Sequence, residues 1–275
     1  MTSERQRFWY GIFLCGLMAL IGCSRSDDQP AEAITRSADT VGVYKGSEAK
    51  FYLRTGPGTG EEISFTFGPS GQDLQPLAGD WDGDGKTTVG LYNPTTSTWY
   101  LRNGNSSGPA DNVFSFGAAA NGLLGVVGDW DGDGKETVGL YDPKKGTWFL
   151  RNANSVGVAD QTFAFGPPGA GWLPIAGDWD GDGKESVGLY DPAKSTWFLK
   201  NSTASGNADV TFALGAPGGG WLPAAGDWDS DGKDTIGLYD GKGHWFLKNS
   251  NTDGNADINF LFGAVDGRPV AGRWN

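Results

Sequence analysis

Residues 128–152 read GDWDGDGKETVGLYDPKKGTWFLRN, and close copies of this run lie on either side of it. The triplet Asp-Trp-Asp begins at Asp80, Asp129, Asp178 and Asp227, each 49 residues after the last. A Val/Ile-Gly-Leu/Val-Tyr segment occurs five times, at Gly42, Gly90, Gly139, Gly188 and Gly237. A Phe/Leu-Gly stop also occurs five times, at Gly68, Gly117, Gly166, Gly215 and Gly263. A fixed period of this size marks an array of equivalent supersecondary units, each needing its neighbours to bury its apolar faces. The count is five.

Within a unit the residues predict four short strands, at 173–176, 186–190, 196–200 and 210–214 in one copy. Thr, Val, Tyr, Trp and Phe supply the β preference, while Asp-Pro, Gly-Lys and Asn-Ser stretches supply turns. About 49 residues and four strands is the size of a propeller blade. The ends of the array point to closure. The chain enters its first unit at Val41-Gly42-Val43-Tyr44 without a first strand, and residues 268–274 (RPVAGRW) match that strand as it stands in LPIAGDW. The last segment is therefore expected to complete the first blade, leaving no open edge to invite aggregation. The fold class is all-β, a five-bladed β-propeller over residues 39–275, expected as a monomer; an open solenoid is the competing geometry and leaves the split unit unexplained. Trp81, Trp130, Trp179, Trp228 and Trp274 share one repeat position and Trp99, Trp148, Trp197 and Trp245 another, which predicts packing between blades. His244 stands where other units have Thr, as a strand substitution.

The chain has 46 Gly and 14 Pro, yet 13% of it is aromatic, so it is not a disordered low-complexity chain. A net charge of -12 excludes general nucleic-acid binding, which rests on clustered Lys and Arg, and is compatible with binding cations. Arg5 and Arg7 precede an apolar run over 8–21 that is too short to span a bilayer. Residues 1–22 therefore read as an export signal. Leu20-Ile21-Gly22-Cys23 resembles a bacterial lipobox, which implies cleavage before Cys23 and lipidation of its thiol. Residues 23–38 become the lipidated Cys and a flexible tether. Cys15 falls in the removed segment, so no disulfide is expected, and an acyl anchor holds the chain at a membrane without spanning it. Ser24 after the Cys favours the outer membrane of a cell envelope, periplasmic or surface-facing.

Each Asp-Trp-Asp run opens a loop of the form Asp-Trp-Asp-Gly/Ser-Asp-Gly-Lys. Carboxylates at positions 1, 3 and 5 of a tight turn converge, Gly at position 6 lets the backbone fold back, and position 7 offers a carbonyl. That set suits Ca²⁺, which takes six to eight oxygens. The candidate ligands are Asp80, Asp82, Asp84, Lys86 and Thr88; Asp129, Asp131, Asp133, Lys135 and Thr137; Asp178, Asp180, Asp182, Lys184 and Ser186; and Asp227, Asp229, Asp231, Lys233 and Thr235. The bland reading is a solvated Asp/Gly turn. An EF-hand is excluded, because Leu91, Leu140, Leu189 and Leu238 stand where its bidentate Glu would be. Zn²⁺ prefers His or Cys, and Mg²⁺ a stricter octahedron.

Phe-Gly, then a Gly/Ala/Pro-rich stretch such as Gly215-Ala216-Pro217, then Asp-x-Asp-x-Asp-Gly resembles the FG-GAP/VCBS repeats of integrin α-type propellers. The resemblance covers 41–274 and implies a calcium-stabilised propeller acting in adhesion or ligand binding. Two departures stand out. Position 9, commonly Asp in that family, is Thr88, Thr137, Ser186 or Thr235; and Arg273 replaces the first Asp of the fifth unit, so about four sites are expected. The acids at position 8, Glu136, Glu185 and Asp234, are expected to point to the other side of the strand.

Strand parity puts the Asp loops on one face with loops such as 152–160, and the blade-to-blade connections on the other. Trp172 and Trp221 lie in those connections, where Leu74 and Leu123 hold the equivalent places, and are candidates for stacking on a sugar. Gly104-Asn105-Ser106-Ser107-Gly108 matches G-x-S-x-G but lacks the strand-to-helix setting such a nucleophile needs. The expected function is a lipid-anchored, calcium-binding, non-catalytic interaction or adhesion module for a protein or glycan partner. The alternatives are a lectin-like propeller and, further off, a polysaccharide-degrading enzyme.

Overall fold

The computed structural model describes residues 37–56 and 61–274, and among them every regular element is a β-strand. The export signal, Cys23 and most of the tether, like Asn275, lie outside the described residues. Blade 1 comprises β1 (Thr40–Lys45), β2 (Lys50–Arg54), β3 (Glu62–Thr66) and, from the far end of the chain, β20 (Arg268–Gly272). Blade 2 holds β4 (Gln75–Gly79), β5 (Thr88–Asn93), β6 (Thr98–Leu101) and β7 (Asn112–Ser115). Blade 3 holds β8 (Leu124–Gly128), β9 (Thr137–Asp142), β10 (Thr147–Leu150) and β11 (Gln161–Ala164). Blade 4 holds β12 (Leu173–Gly177), β13 (Ser186–Asp191), β14 (Thr196–Leu199) and β15 (Val210–Ala213). Blade 5 holds β16 (Leu222–Gly226), β17 (Thr235–Tyr239), β18 (His244–Leu247) and β19 (Ile258–Leu261). Each is a four-stranded antiparallel sheet, and the five form a propeller.

Closure occurs as the split unit requires. β20 pairs antiparallel with β1, Thr40 opposite Gly272 and Gly42 opposite Val270. This is the register of β4 on β5, where Thr88 faces Gly79 and Gly90 faces Leu77. The first strands of adjacent blades then contact one another around the ring, β20 touching both β4 and β16.

Burial falls from the second strand outward. β9 and β13 are buried at every residue, β10 and β14 at alternate residues, and β11 and β15 at one residue each. An inner strand has a neighbouring blade on both faces, whereas an outer strand diverges from its neighbours and needs only one apolar anchor. The nine repeated Trp side chains are all buried, Trp99, Trp148, Trp197 and Trp245 completely. All four of that second set lie against the Tyr of their own blade's second strand, as Trp148 does on Tyr141 with ring centroids 4.7 Å apart. Each donates its indole N–H to the Phe/Leu-Gly stop, Trp148 to the carbonyl of Phe165 at 3.0 Å. Glycine in the second strand makes this density attainable. A Cβ on Gly90 would sit 3.0 Å from Leu101 Cδ2 and 3.1 Å from Trp81 Cζ2.

Candidate functional site

Four loops between the first and second strands of blades 2 to 5 present the candidate site. In each, one oxygen from each of three Asp side chains lies within 4.8 Å of the other two: Asp80, Asp82 and Asp84; Asp129, Asp131 and Asp133; Asp178, Asp180 and Asp182; Asp227, Asp229 and Asp231. The first Asp builds the loop. Asp129 Oδ1 accepts the amides of Gly132 at 2.7 Å and Asp133 at 3.1 Å, and Oδ2 accepts that of Gly134 at 2.8 Å. Asp133 Oδ1 in turn accepts the Lys135 amide at 2.9 Å. The middle Asp residues of the first three loops, Asp82, Asp131 and Asp180, are exposed, and no donor among the described residues bonds them. No Lys or Arg among the described residues forms an ion pair with any of the twelve. Unit charges about 4 Å apart repel by roughly 1 kcal/mol even in bulk water. Oxygen-only donors at this spacing fit a hard divalent cation, with Asp82, the second carboxylate oxygen of Asp84 and the Lys86 carbonyl left over from loop building. The hydroxyls of Thr88, Thr137, Ser186 and Thr235 turn back instead to the carbonyls of Gly79, Gly128, Gly177 and Gly226, at 3.3 to 3.4 Å.

The Lys side chains serve the ring. The stem of Lys135 lies across Gly83 of the preceding loop, where a Cβ would meet it at 3.0 Å; Lys184 crosses Gly132 and Lys233 crosses Gly181 in the same way. Those glycines also have positive φ, near +80°. The fourth loop faces a blade that begins with the tether and brings no Lys, and its position 4 is Ser230.

The position-8 residues do leave their own loop, and they reach the preceding blade. Glu185 donates its amide to the carbonyl of Asp129 at 3.0 Å, and its Oε2 accepts the Asp129 amide at 3.1 Å. Asp234 makes the same pair of bonds with Asp178, and Asp39 with Asp227. Where Arg273 replaces the first Asp, Thr87 replaces the acid: its amide donates to the Arg273 carbonyl at 2.7 Å and its hydroxyl accepts the Arg273 amide at 3.0 Å. Arg273 Nε also pairs with Asp39 at 3.3 Å. The result is a ring of reciprocal clamps between blades. Burial, and then the charges of Asp39 and Asp234, pushes Glu136 up to about 8. Burial, then Asp39, raises Asp234 to about 7, and burial with Glu136 raises Glu185 well above the carboxylate range. The local sequence indicated only that these acids leave the loop; which blade they reach depends on ring packing.

The outer loops share this face. Asn154 Nδ2 donates to the carbonyl of Glu136 at 3.0 Å and Asn105 Nδ2 to that of Thr87 at 2.9 Å. The G-x-S-x-G segment is one of these loops: Ser106 Oγ accepts from Arg102 Nη2 at 3.0 Å and Ser107 Oγ accepts the amide of Thr66 at 3.2 Å. His244 Nδ1 contacts Asp240 Oδ2 at 2.7 Å in the turn between second and third strands of blade 5, the parity-opposite side from the Ser106 loop. Trp172 and Trp221 lie on blade flanks, half-buried. Trp172 stacks on Phe198 with centroids 4.3 Å apart and planes 8° from parallel, and Trp221 on Phe246 at 5.0 Å and 1°. Trp172 lines a groove of about 350 Å³ with Phe198, Asn207 and Ala208.

No family model matches the chain, and no curated protein is similar to it. Among solved structures, it is similar to a lectin from Agrocybe aegerita described as recognising non-reducing terminal N-acetylglucosamine, with a TM-score of 0.43 and 17% identity. The match covers 82% of this chain and 62% of that one, so it spans less than two thirds of the lectin's length.

Proposed function

We propose that the chain is a lipid-anchored, calcium-binding β-propeller serving as a non-catalytic binding module of a bacterial cell envelope. The observation that carries the calcium reading is the fourfold recurrence of three carboxylates within 4.8 Å, none of them ion-paired with a Lys or Arg among the described residues. The FG-GAP/VCBS-like loops and the lipobox-like Leu20-Ile21-Gly22-Cys23 support the class and the anchor. With free calcium near ~1 mM and Kd near ~0.1 mM, each site stabilises the fold by roughly 1.4 kcal/mol and four by about 6 kcal/mol. Chelated protein should therefore melt well below protein in millimolar calcium, and titration should count about four sites. Coincident melts in calcium and in chelator would sink the reading.

A second reading has its own observation. Trp172 and Trp221 each lie flat on a Phe of a blade's third strand, and a Trp face beside Asn207 suits a sugar ring. On this reading a glycan array gives hits with the native protein that fall at least about tenfold in Trp172→Ala and Trp221→Ala, a loss of about 1.4 kcal/mol. Retained binding in both variants, or an array with no hits, leaves the protein-partner reading.

A further inference from the structure

The seam between blade 5 and blade 1 differs from the other contacts between blades. In blades 2 to 5 a basic residue follows the third strand and is consumed by its own outer loop. Arg102 donates to the carbonyls of Ser106 at 2.6 Å, Ser107 at 3.0 Å and Pro109, and Arg151 binds its loop alike. Lys200 donates to the carbonyl of Asn207 at 3.4 Å and Lys248 to that of Asn255 at 3.3 Å. Blade 1 is one residue shorter here, pairing Leu53 with Ile63 where blade 2 pairs Leu101 with Asn112. Its basic residue, Arg54, is 8% exposed, yet no acceptor or acid among the described residues bonds its guanidinium. Its cross-strand neighbour Glu62 is exposed and forms no ion pair with it. The guanidinium carbon instead lies 4.2 Å from the centroid of the Phe260 ring.

A cavity of about 230 Å³ opens at this point, walled by Val41, Trp228, Leu247, Ile258 and Phe260. Phe260 is only partly buried, whereas its counterparts Phe65, Phe114, Phe163 and Phe212 are 7%, 6%, 9% and 4% exposed. Asp39 also borders the cavity, but Arg273 and the Asp227 amide hold its carboxylate. Burial alone lowers the Arg54 pKa, with no acid opposing it. A largely buried cation with no acid or acceptor among the described residues is costly. A guanidinium stacked on an aromatic ring still presents its N–H edges in plane, the geometry that takes a carboxylate through two parallel bonds.

We propose that this cavity is a binding site for a small organic carboxylate with an apolar body, the carboxylate bound by Arg54 and the body held against the apolar walls. The volume is below the roughly 300–1,000 Å³ of drug-sized sites, so the ligand has on the order of ten non-hydrogen atoms. The site uses none of the loop carboxylates, although Trp228 of the fourth Asp loop walls it and Asp39, which borders it, accepts the Asp227 amide.

The test is calorimetric titration of the full chain with benzoate, phenylacetate and hexanoate, with acetate and the matching amides as controls, in calcium and in chelator. At least one of the three acids should bind 1:1 with Kd below about 1 mM, at least about tenfold tighter than acetate and than its own amide. Arg54→Gln should weaken that binding at least about tenfold, while Arg102→Gln leaves it unchanged. The preference for acid over amide should persist in chelator, so this result stands or falls apart from the calcium reading. The proposal is overturned if no acid binds up to about 10 mM, if acid and amide bind alike, if acetate binds equally well, or if Arg54→Gln retains affinity. Should Arg54→Gln not fold, the acid-against-amide comparison in the native chain decides the question.

Discussion

Gly132 shows how one position answers to two blades. Its φ of +79° disfavours any residue with a Cβ, and that Cβ would also meet the Lys184 stem at 3.0 Å. Ser230 occupies the same loop position with a φ of 65°, but no Lys crosses it. The backbone cost, about 1–2 kcal/mol for a left-handed non-glycine residue, is thus borne at this position in one of the four Asp loops, and the steric cost is avoided there. Gly132→Ser should lower stability to urea by about 1–2 kcal/mol or slightly more, and Lys184→Ala should recover only the steric part. Additivity in that double-mutant cycle would mean the Lys stem does not contact the loop. The clustering of the three Asp residues in each loop was legible in the sequence, since their carboxylates are close in the chain. The purpose of the Lys was not legible, since it serves a neighbouring loop.

At the scale of elements, β20 does the most for its length. Five residues, Arg268–Gly272, supply the inner strand of blade 1 and seal it against blades 2 and 5. Val270 and Trp274 are buried in the apolar clusters there. Without this strand β1 would expose an edge and the ring an apolar face, and exposed edges of that kind pair with other chains. A chain ending before Arg268 is expected to lose its cooperative melt and to elute as oligomers or aggregate in size-exclusion chromatography. A monomeric, cooperatively melting truncation would mean that the ring holds without its closing strand. The need for closure could be read from the split unit because strands matched to a period can be counted. The opening beside Arg54 could not, because it lies between β2 of the first blade and β19 of the last, which are far apart in the chain.

The acids Asp39, Glu136, Glu185 and Asp234 belong to the molecule as a whole, since each joins two blades and Glu136, Glu185 and Asp234 each feel the charge of acids on other blades. Glu136 and Asp234 are raised in the folded state to about 8 and about 7, from unfolded values near 4.5 and 3.8. Between those limits the native chain holds more protons than the unfolded chain, so stability falls as pH rises. Metal-free protein should therefore be more resistant to urea at pH 5 than at pH 8, by on the order of a few kcal/mol, and Glu136→Gln should reduce that difference. A flat profile in chelator, or one rising toward pH 8, would contradict the buried ring. On the proposed calcium reading, binding at the Asp loops would act in the opposite sense, since the ligands must be ionised.

The sequence alone determined the number of blades, the order of strands, the closing strand and the grouping of three Asp residues in each of four loops. Each of these follows from spacing along the chain, and a period of 49 residues preserves spacing through every copy. Only the tertiary structure decided where the position-8 acids go, why Lys crosses a neighbour's glycine, and that the Arg54 guanidinium lies on Phe260 of the next blade with no hydrogen-bond acceptor among the described residues. Those contacts run between blades, and the seam joins Asp39 to Asp227 across 188 positions in the chain. A repeat fixes what each blade contains; what one blade presents to the next is settled when the ring closes.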